Sequence, residues 1–274
     1  MKKKPTHILK TLHYLSLDVV TGAVLSSVMF WKMPDGHSQP HELVLIVLGI
    51  CTWIIYIFDR FLDNIKSEPQ DVRHQFHFDN QYYLQVVIIV LGFLALFLVF
   101  FLPKPVVIFG IAFSVFLLLY FRILQKKTTA SAYHYYKEIA TALLYSVPIF
   151  GSAFVVKSLG FWQYLSAFNF ILLVHQSMLV FSWYEMKEMP EVKNFAQKLG
   201  EKQVRLVVIG ITAFVGIILL TSIEGYMKKA FLIEFLMACV TLAIFLFPKK
   251  LSTTQHYRWI GEMVFWLPGL LIFF

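Results

Sequence analysis

Cysteine is nearly missing from this 274-residue chain: Cys51 and Cys239 are the two it has, and each lies inside an apolar run. That excludes a disulfide framework and a thiolate metal site. Charge is scarce as well, since Asp, Glu, Lys and Arg make up only 15% of the residues. No polar stretch is long enough to form a soluble domain or a linker. HxxH occurs once, at His74 and His77. It reads as a solvated loop before it reads as a transition-metal site, and histidine-box oxygenases need several such clusters. The spaced-aspartate run DGxxAR…GxxxDxxxD of the CDP-alcohol phosphotransferases is absent too.

What the chain has is hydrocarbon. Hydrophobic residues make up 58% of it, 28 of them Phe. No soluble domain of this size needs that much apolar surface, so the expected class is an all-α polytopic membrane protein with a single domain over 1–274. Nine apolar runs, at about 12–32, 41–63, 82–102, 105–124, 135–156, 164–186, 205–223, 230–247 and 257–274, read as nine spans. The lysines after Met1 imitate a signal peptide. The following run, however, carries His13, Asp18 and Thr21 and ends in Phe30-Trp31-Lys32 without a cleavage pattern, so it reads as a retained first span. The net charge of +8 does not point to nucleic acid, because 19 of the 24 basic residues fall on one side of the nine-span arrangement. That bias predicts a cytoplasmic N-terminus and an external C-terminus.

Against this apolar background the acids stand out. Asp59 and Asp63 close the second span, four residues apart and so on one helix face, about 6 Å from each other along the axis. Near hydrocarbon the pair carries both repulsion and a desolvation cost, which a divalent cation offsets. Mg²⁺ typically takes one or two carboxylates together with substrate phosphate oxygens. Glu185 and Glu188 close the sixth span on the same side, three residues apart, with Pro190 just beyond. Both clusters read equally well as solvated helix ends. Arg122, Lys126 and Lys127, between spans four and five, are candidates to hold a diphosphate or else topology anchors. Within the spans, Asp18, Asn169, His175, Gln176, Glu234 and Glu262 are polar. Asn169, His175 and Gln176 form a stripe leading toward Glu185, which fits either the lining of a pocket or hydrogen bonding between helices.

Two acidic clusters closing spans two and six of a nine-span, N-in chain resemble the UbiA-type intramembrane prenyltransferase superfamily. Asp59-Arg60-Phe61-Leu62-Asp63 matches the DxxxD half of the first family motif, NDxxDxxxD, with Ile55 and Tyr56 where the family carries Asn and Asp. The second motif, DxxxD, is represented by Glu185 and Glu188, with Met189 at its final acid, and Asn194–Gly200 is similar to the family's lead into the next helix. The resemblance implies nine helices around a central cavity in a bacterial inner membrane. It implies Mg²⁺ held by Asp59, Asp63, Glu185 and Glu188, with Asp59 and Asp63 catalytic. Arg122, Lys126 and Lys127 would bind the substrate diphosphate, and Trp53, Tyr56 and Phe58 would line the prenyl cavity. The implied reaction transfers a polyprenyl group from an isoprenoid diphosphate to a lipophilic or aromatic acceptor in the bilayer. The alternative is a non-catalytic protein of the same fold with a binding or transport role.

Overall fold

The computed structural model describes residues 11–66, 72–125, 131–188, 190, 194–251 and 256–273. It is about 86% helical, and no strand occurs among the described residues. The helices are α1 Leu17–Lys32, α2 Glu42–Lys66, α3 Val72–Asp79, α4 Gln81–Val99, α5 Lys104–Gln125, α6 Ser131–Phe154, α7 Phe161–Glu188, α8 Phe195–Leu199, α9 Glu201–Thr221, α10 Tyr226–Leu246, α11 Pro248–Leu251 and α12 His256–Met263. A 3₁₀ segment, Val264–Ile272, continues α12. A long helical segment coincides with each of the nine apolar runs.

Six of these helices, α2, α4, α5, α7, α9 and α10, are long and apolar enough to cross a bilayer. The chain is therefore a membrane protein by the length and composition of its helices. The other three segments fall short for visible reasons. At 1.5 Å per residue the 16 residues of α1 extend about 24 Å, less than the roughly 30 Å of a hydrocarbon core. The first turns of α6 carry His134, Lys137 and Glu138. The last segment changes from α to 3₁₀ geometry midway, with Pro268 inside it.

Burial is uneven. Helix α7 is the most enclosed and packs against α6, α9 and α10, while α1 packs against α2, α6 and the 3₁₀ segment. Helices α4 and α5 are apolar all round and lie at the periphery, with Phe93 and Phe100 71% and 86% exposed. In water such faces would aggregate; in lipid they face a solvent of their own kind. Around Phe30 the bundle is filled by aromatic rings. The Phe30 ring sits edge-on to Phe150, Phe154 and Phe170 at 5.7, 5.8 and 5.4 Å. The open apolar groove beside α7, lined by Phe168, Leu172, Val207 and Phe214, lies on an outer face.

Small residues bring α1 close to its neighbours. Gly22, Ala23, Ser26 and Ser27 are buried on it. Ser27 Oγ donates to the Ile149 carbonyl at 2.9 Å and Ser26 Oγ to the Phe265 carbonyl at 3.4 Å. A Cβ added at Gly22 would stand 2.8 Å from Phe265 Cβ, too close to exist without moving backbone, whereas one at Gly92 would meet nothing within 4 Å. Gly22→Ala is therefore expected to lower stability by about 1–3 kcal/mol. Gly92→Ala, which only improves helix propensity, should hold it or raise it by up to about 1 kcal/mol. Thermal melts of both variants in detergent check this; equal melting temperatures would contradict the close crossing.

Candidate functional site

One end of the bundle brings together several of the ionisable side chains singled out in the sequence. There the last turns of α2 and α7 meet the start of α12 and the segment before α1. On α2, Tyr56 and Arg60 are four residues apart and so share a face. Arg60 Nη2 donates to Tyr56 Oη at 3.1 Å, and the guanidinium carbon lies 5.2 Å from the Tyr56 ring centre. Arg60 is also within electrostatic reach of Asp59 and of Arg258 on α12. Arg258 in turn donates through Nη2 to Glu185 Oε1 on α7. The run Asp59–Arg60–Arg258–Glu185 thus brings parts of two helices 126 positions apart in sequence within electrostatic reach of one another, with Arg258–Glu185 as its direct contact.

Around Glu185 the geometry is fixed by aromatic rings. Tyr184 and Tyr257 stack face to face, 4.0 Å apart and 3° from parallel. Tyr184 Oη donates to the Ile244 carbonyl at 2.8 Å, anchoring α7 to the end of α10, and Tyr257 Oη donates to Glu188 Oε2 at 3.4 Å. Glu138 of α6 is buried and accepts from Ser182 Oγ at 2.7 Å and from the Phe195 amide at 3.1 Å. Asn194, the cap of α8, accepts from the Gln197 amide at 2.9 Å and donates to the Ser182 carbonyl at 2.8 Å. These bonds hold the short α8 against the end of α7.

The sequence-derived candidates fare differently. Asp59, Glu185 and Glu188 lie at this one end. The side chain of Asp63, and Lys126 and Lys127, lie outside the described residues. Arg122 is described and exposed near the end of α5. Two of the aromatic residues assigned to a prenyl cavity are employed otherwise. Trp53 Nε1 donates to the Leu15 carbonyl at 2.7 Å, tying the segment before α1 to α2, and the exposed Phe58 packs on Phe121 at 5.3 Å. Two of the three residues of the polar stripe of α7 make interhelical bonds, while the His175 ring meets the Phe195 ring at 5.9 Å. Gln176 Nε2 donates to Val208 O and Thr212 Oγ1 of α9 at 3.0 and 2.9 Å. Asn169 Nδ2 donates to Glu234 Oε2 of α10 at 2.9 Å. His77 is buried, with Nε2 2.9 Å from the Tyr14 carbonyl, so it fastens α3 to the first segment.

Sequence reasoning missed Arg60, Arg258 and Glu138 as members of this end. Arg60 and Arg258 had been counted as topology anchors. The available signal was spacing: Arg258 and Glu262 are four apart in a chain that has few charges to place. Neither partner of the Arg258–Glu185 pair is fully withdrawn from solvent, at 15% and 26% side-chain exposure. Arg258→Met is therefore expected to cost about 2 kcal/mol, below the 3–5 typical when a fully buried pair loses one partner. Arg258→Met combined with Glu185→Met should recover most of the loss, since no uncompensated charge remains. Chemical or thermal unfolding of the two singles and the double measures this; a double variant as unstable as the sum of the singles would contradict a direct pair. No protein-family model, curated protein or solved structure matches the chain.

Proposed function

We propose that this protein is a membrane-embedded, Mg²⁺-dependent prenyltransferase of the UbiA type, with nine spans and a cytoplasmic N-terminus. The observation that carries the reading is the Asp59–Arg60–Arg258–Glu185 run, which links the two acidic helix ends through a pair of arginines. Coincidence of the nine helical segments with the nine apolar runs supports the span count, and the 19-of-24 basic bias supports the orientation. The charged end then faces the compartment where isoprenoid diphosphates are made.

The donor set suits Mg²⁺, because Asp59, Glu185 and Glu188 offer hard carboxylate oxygens. Asp63, on the same turn-spacing as Asp59, would complete the first pair. When bound, the metal supplies Lewis-acid neutralisation of a leaving diphosphate. The chain's own residues do the rest. Arg60 and Arg258, joined by Arg122, Lys126 and Lys127, stabilise the negative charge that builds on the diphosphate as the allylic C–O bond breaks and its electron pair departs with the oxygen. The Tyr56 ring beside Arg60 is the aromatic group nearest these charges that could favour a positive allylic carbon over bulk lipid. A nucleophilic atom of the acceptor then bonds to that carbon and loses its proton.

A second reading, a non-catalytic protein of the same fold that binds or carries such a lipid, has one observation of its own. Glu185 is paired with Arg258 and Glu188 with Tyr257, so the second acidic pair is compensated within the chain. Both readings require a ligand at this end, and the acids decide it. Farnesyl diphosphate with Mg²⁺ is expected to raise the melting temperature of the purified protein. Asp59→Asn should abolish the Mg²⁺-dependent part of the rise while leaving the unliganded melt close to that of wild type, because relief of repulsion with Asp63 offsets the lost attraction to Arg60. Glu185→Gln should weaken the effect less. Equal ligand stabilisation in wild type and Asp59→Asn would remove the acids from the site.

A further inference from the structure

A second cluster, made of different residues, lies at the same end. His13, in the segment before α1, directs Nδ1 to Asp18 Oδ2 at 2.5 Å and to Glu262 Oε2 of α12 at 3.3 Å. The three ligand-type atoms lie within 4.8 Å of one another. The side chains are 11%, 11% and 9% exposed. Their framework is fixed on all sides. Ser16, in the left-handed region at φ 60°, turns the chain so that His13 comes back over Asp18. The edge of the Trp259 ring meets the His13 ring at 5.0 Å. Asp18 Oδ1 accepts from the Val19 amide at 3.0 Å and the Asp18 carbonyl from Trp266 Nε1 at 2.9 Å, which leaves Oδ2 to the cluster.

With both carboxylates ionised, the charges within this group do not balance. Asp18 interacts electrostatically with both His13 and Glu262. One imidazolium cancels one of two carboxylates, and the surplus charge sits among Trp259, Trp266 and Tyr145, in surroundings that penalise it. A divalent cation with a neutral imidazole cancels both. Ligands at about 2.0–2.2 Å from a common centre stand about 3–4 Å apart. The 3.3 Å between His13 and Glu262 already matches, and an ion would replace the short His13–Asp18 hydrogen bond, opening it by about 1 Å. The nitrogen decides the class of metal. Mg²⁺ takes oxygen ligands, whereas one imidazole with two carboxylates suits Zn²⁺, Fe²⁺, Co²⁺ and their neighbours.

We propose that His13, Asp18 and Glu262 bind a divalent first-row transition ion that ties the segment before α1 to α12, closing the first and last parts of the chain on each other. The site is separate from the acids proposed to hold Mg²⁺ and stands or falls without them. Three protein ligands leave further coordination positions to water or to an oxygen ligand entering from the charged end.

The test uses the full chain in detergent, stripped with a chelator and titrated with Co²⁺. With excess Mg²⁺ present to occupy the acids proposed above, wild type is expected to take up a single equivalent with ligand-field absorption in the visible, to gain melting temperature on loading, and to keep the ion against Mg²⁺. His13→Ala and the nearly isosteric Glu262→Gln should each bind Co²⁺ at least tenfold more weakly, and Asp59→Asn as wild type does. Absence of saturable Co²⁺ binding in wild type would overturn the site and leave a hydrogen-bonded acid–imidazole group. So would undiminished affinity in Glu262→Gln, which is the deciding variant if His13→Ala does not fold. Displacement of Co²⁺ by Mg²⁺ would equally overturn it, by showing an all-oxygen site.

Discussion

In a hydrocarbon surround the apolar effect no longer tells a helix which face to turn inward, and polar side chains must find each other. That constraint arranges the bundle. Helix α7 is central because it carries the groups that neighbours answer: Asn169 meets Glu234 on α10, Gln176 meets α9, Ser182 meets Glu138 on α6 and Glu185 meets Arg258 on α12. Helices α4 and α5 have few polar side chains, and the one in the middle of α5, Ser114, donates to its own helix at Gly110 O, so they lie outside with their Phe and Leu side chains in lipid. Small residues supply the remaining instruction: Gly22, Ser26 and Ser27 let α1 approach α6 and the 3₁₀ segment to backbone distance.

The same constraint concentrates charge at one end. An arginine such as Arg60 rests on Tyr56 and answers Asp59, and Arg258 answers Glu185. Arg258 has its acid in direct contact, while Arg60 leans on the Tyr56 ring and feels Asp59 and Arg258 only at electrostatic range. The neighbourhood of the two guanidiniums is where the proposed anion would sit. A diphosphate entering between the guanidiniums would relieve their repulsion, and a hard cation under it would satisfy the acids on either side. The proposed chemistry follows from how the chain tolerates charge in lipid.

The helical layout was legible in the sequence because nine apolar runs are long, strong signals, and each became a helical segment. The acids at 59 and 185 were legible as helix ends by position alone. Their arginine partners were not. Arg60 and Arg258 look like any juxtamembrane cation until the fold brings α2, α7 and α12 together. Trp53 and Phe58 show the complementary difficulty: an aromatic residue near a span end fits a cavity wall, a lipid face or an anchor equally, and their contacts with Leu15 and Phe121 come from segments distant in sequence. The stripe on α7 had two readings, and partners on α9 and α10, distant in sequence, decided for interhelical bonds at Gln176 and Asn169. His13, Asp18 and Glu262 were visible singly, but 244 positions separate Asp18 from Glu262, and no local pattern joins them.

The central claim is turnover at the charged end. Its most direct measurement is release of inorganic diphosphate, with identification of the prenylated lipid by mass spectrometry. The protein would be reconstituted in a bilayer with extracted native lipids and supplied with isoprenoid diphosphates of several lengths. The account predicts diphosphate release and a new prenylated product that require Mg²⁺ and disappear in Asp59→Asn. Ligand binding without release of diphosphate from any of them would contradict it and leave a lipid-binding protein in its place.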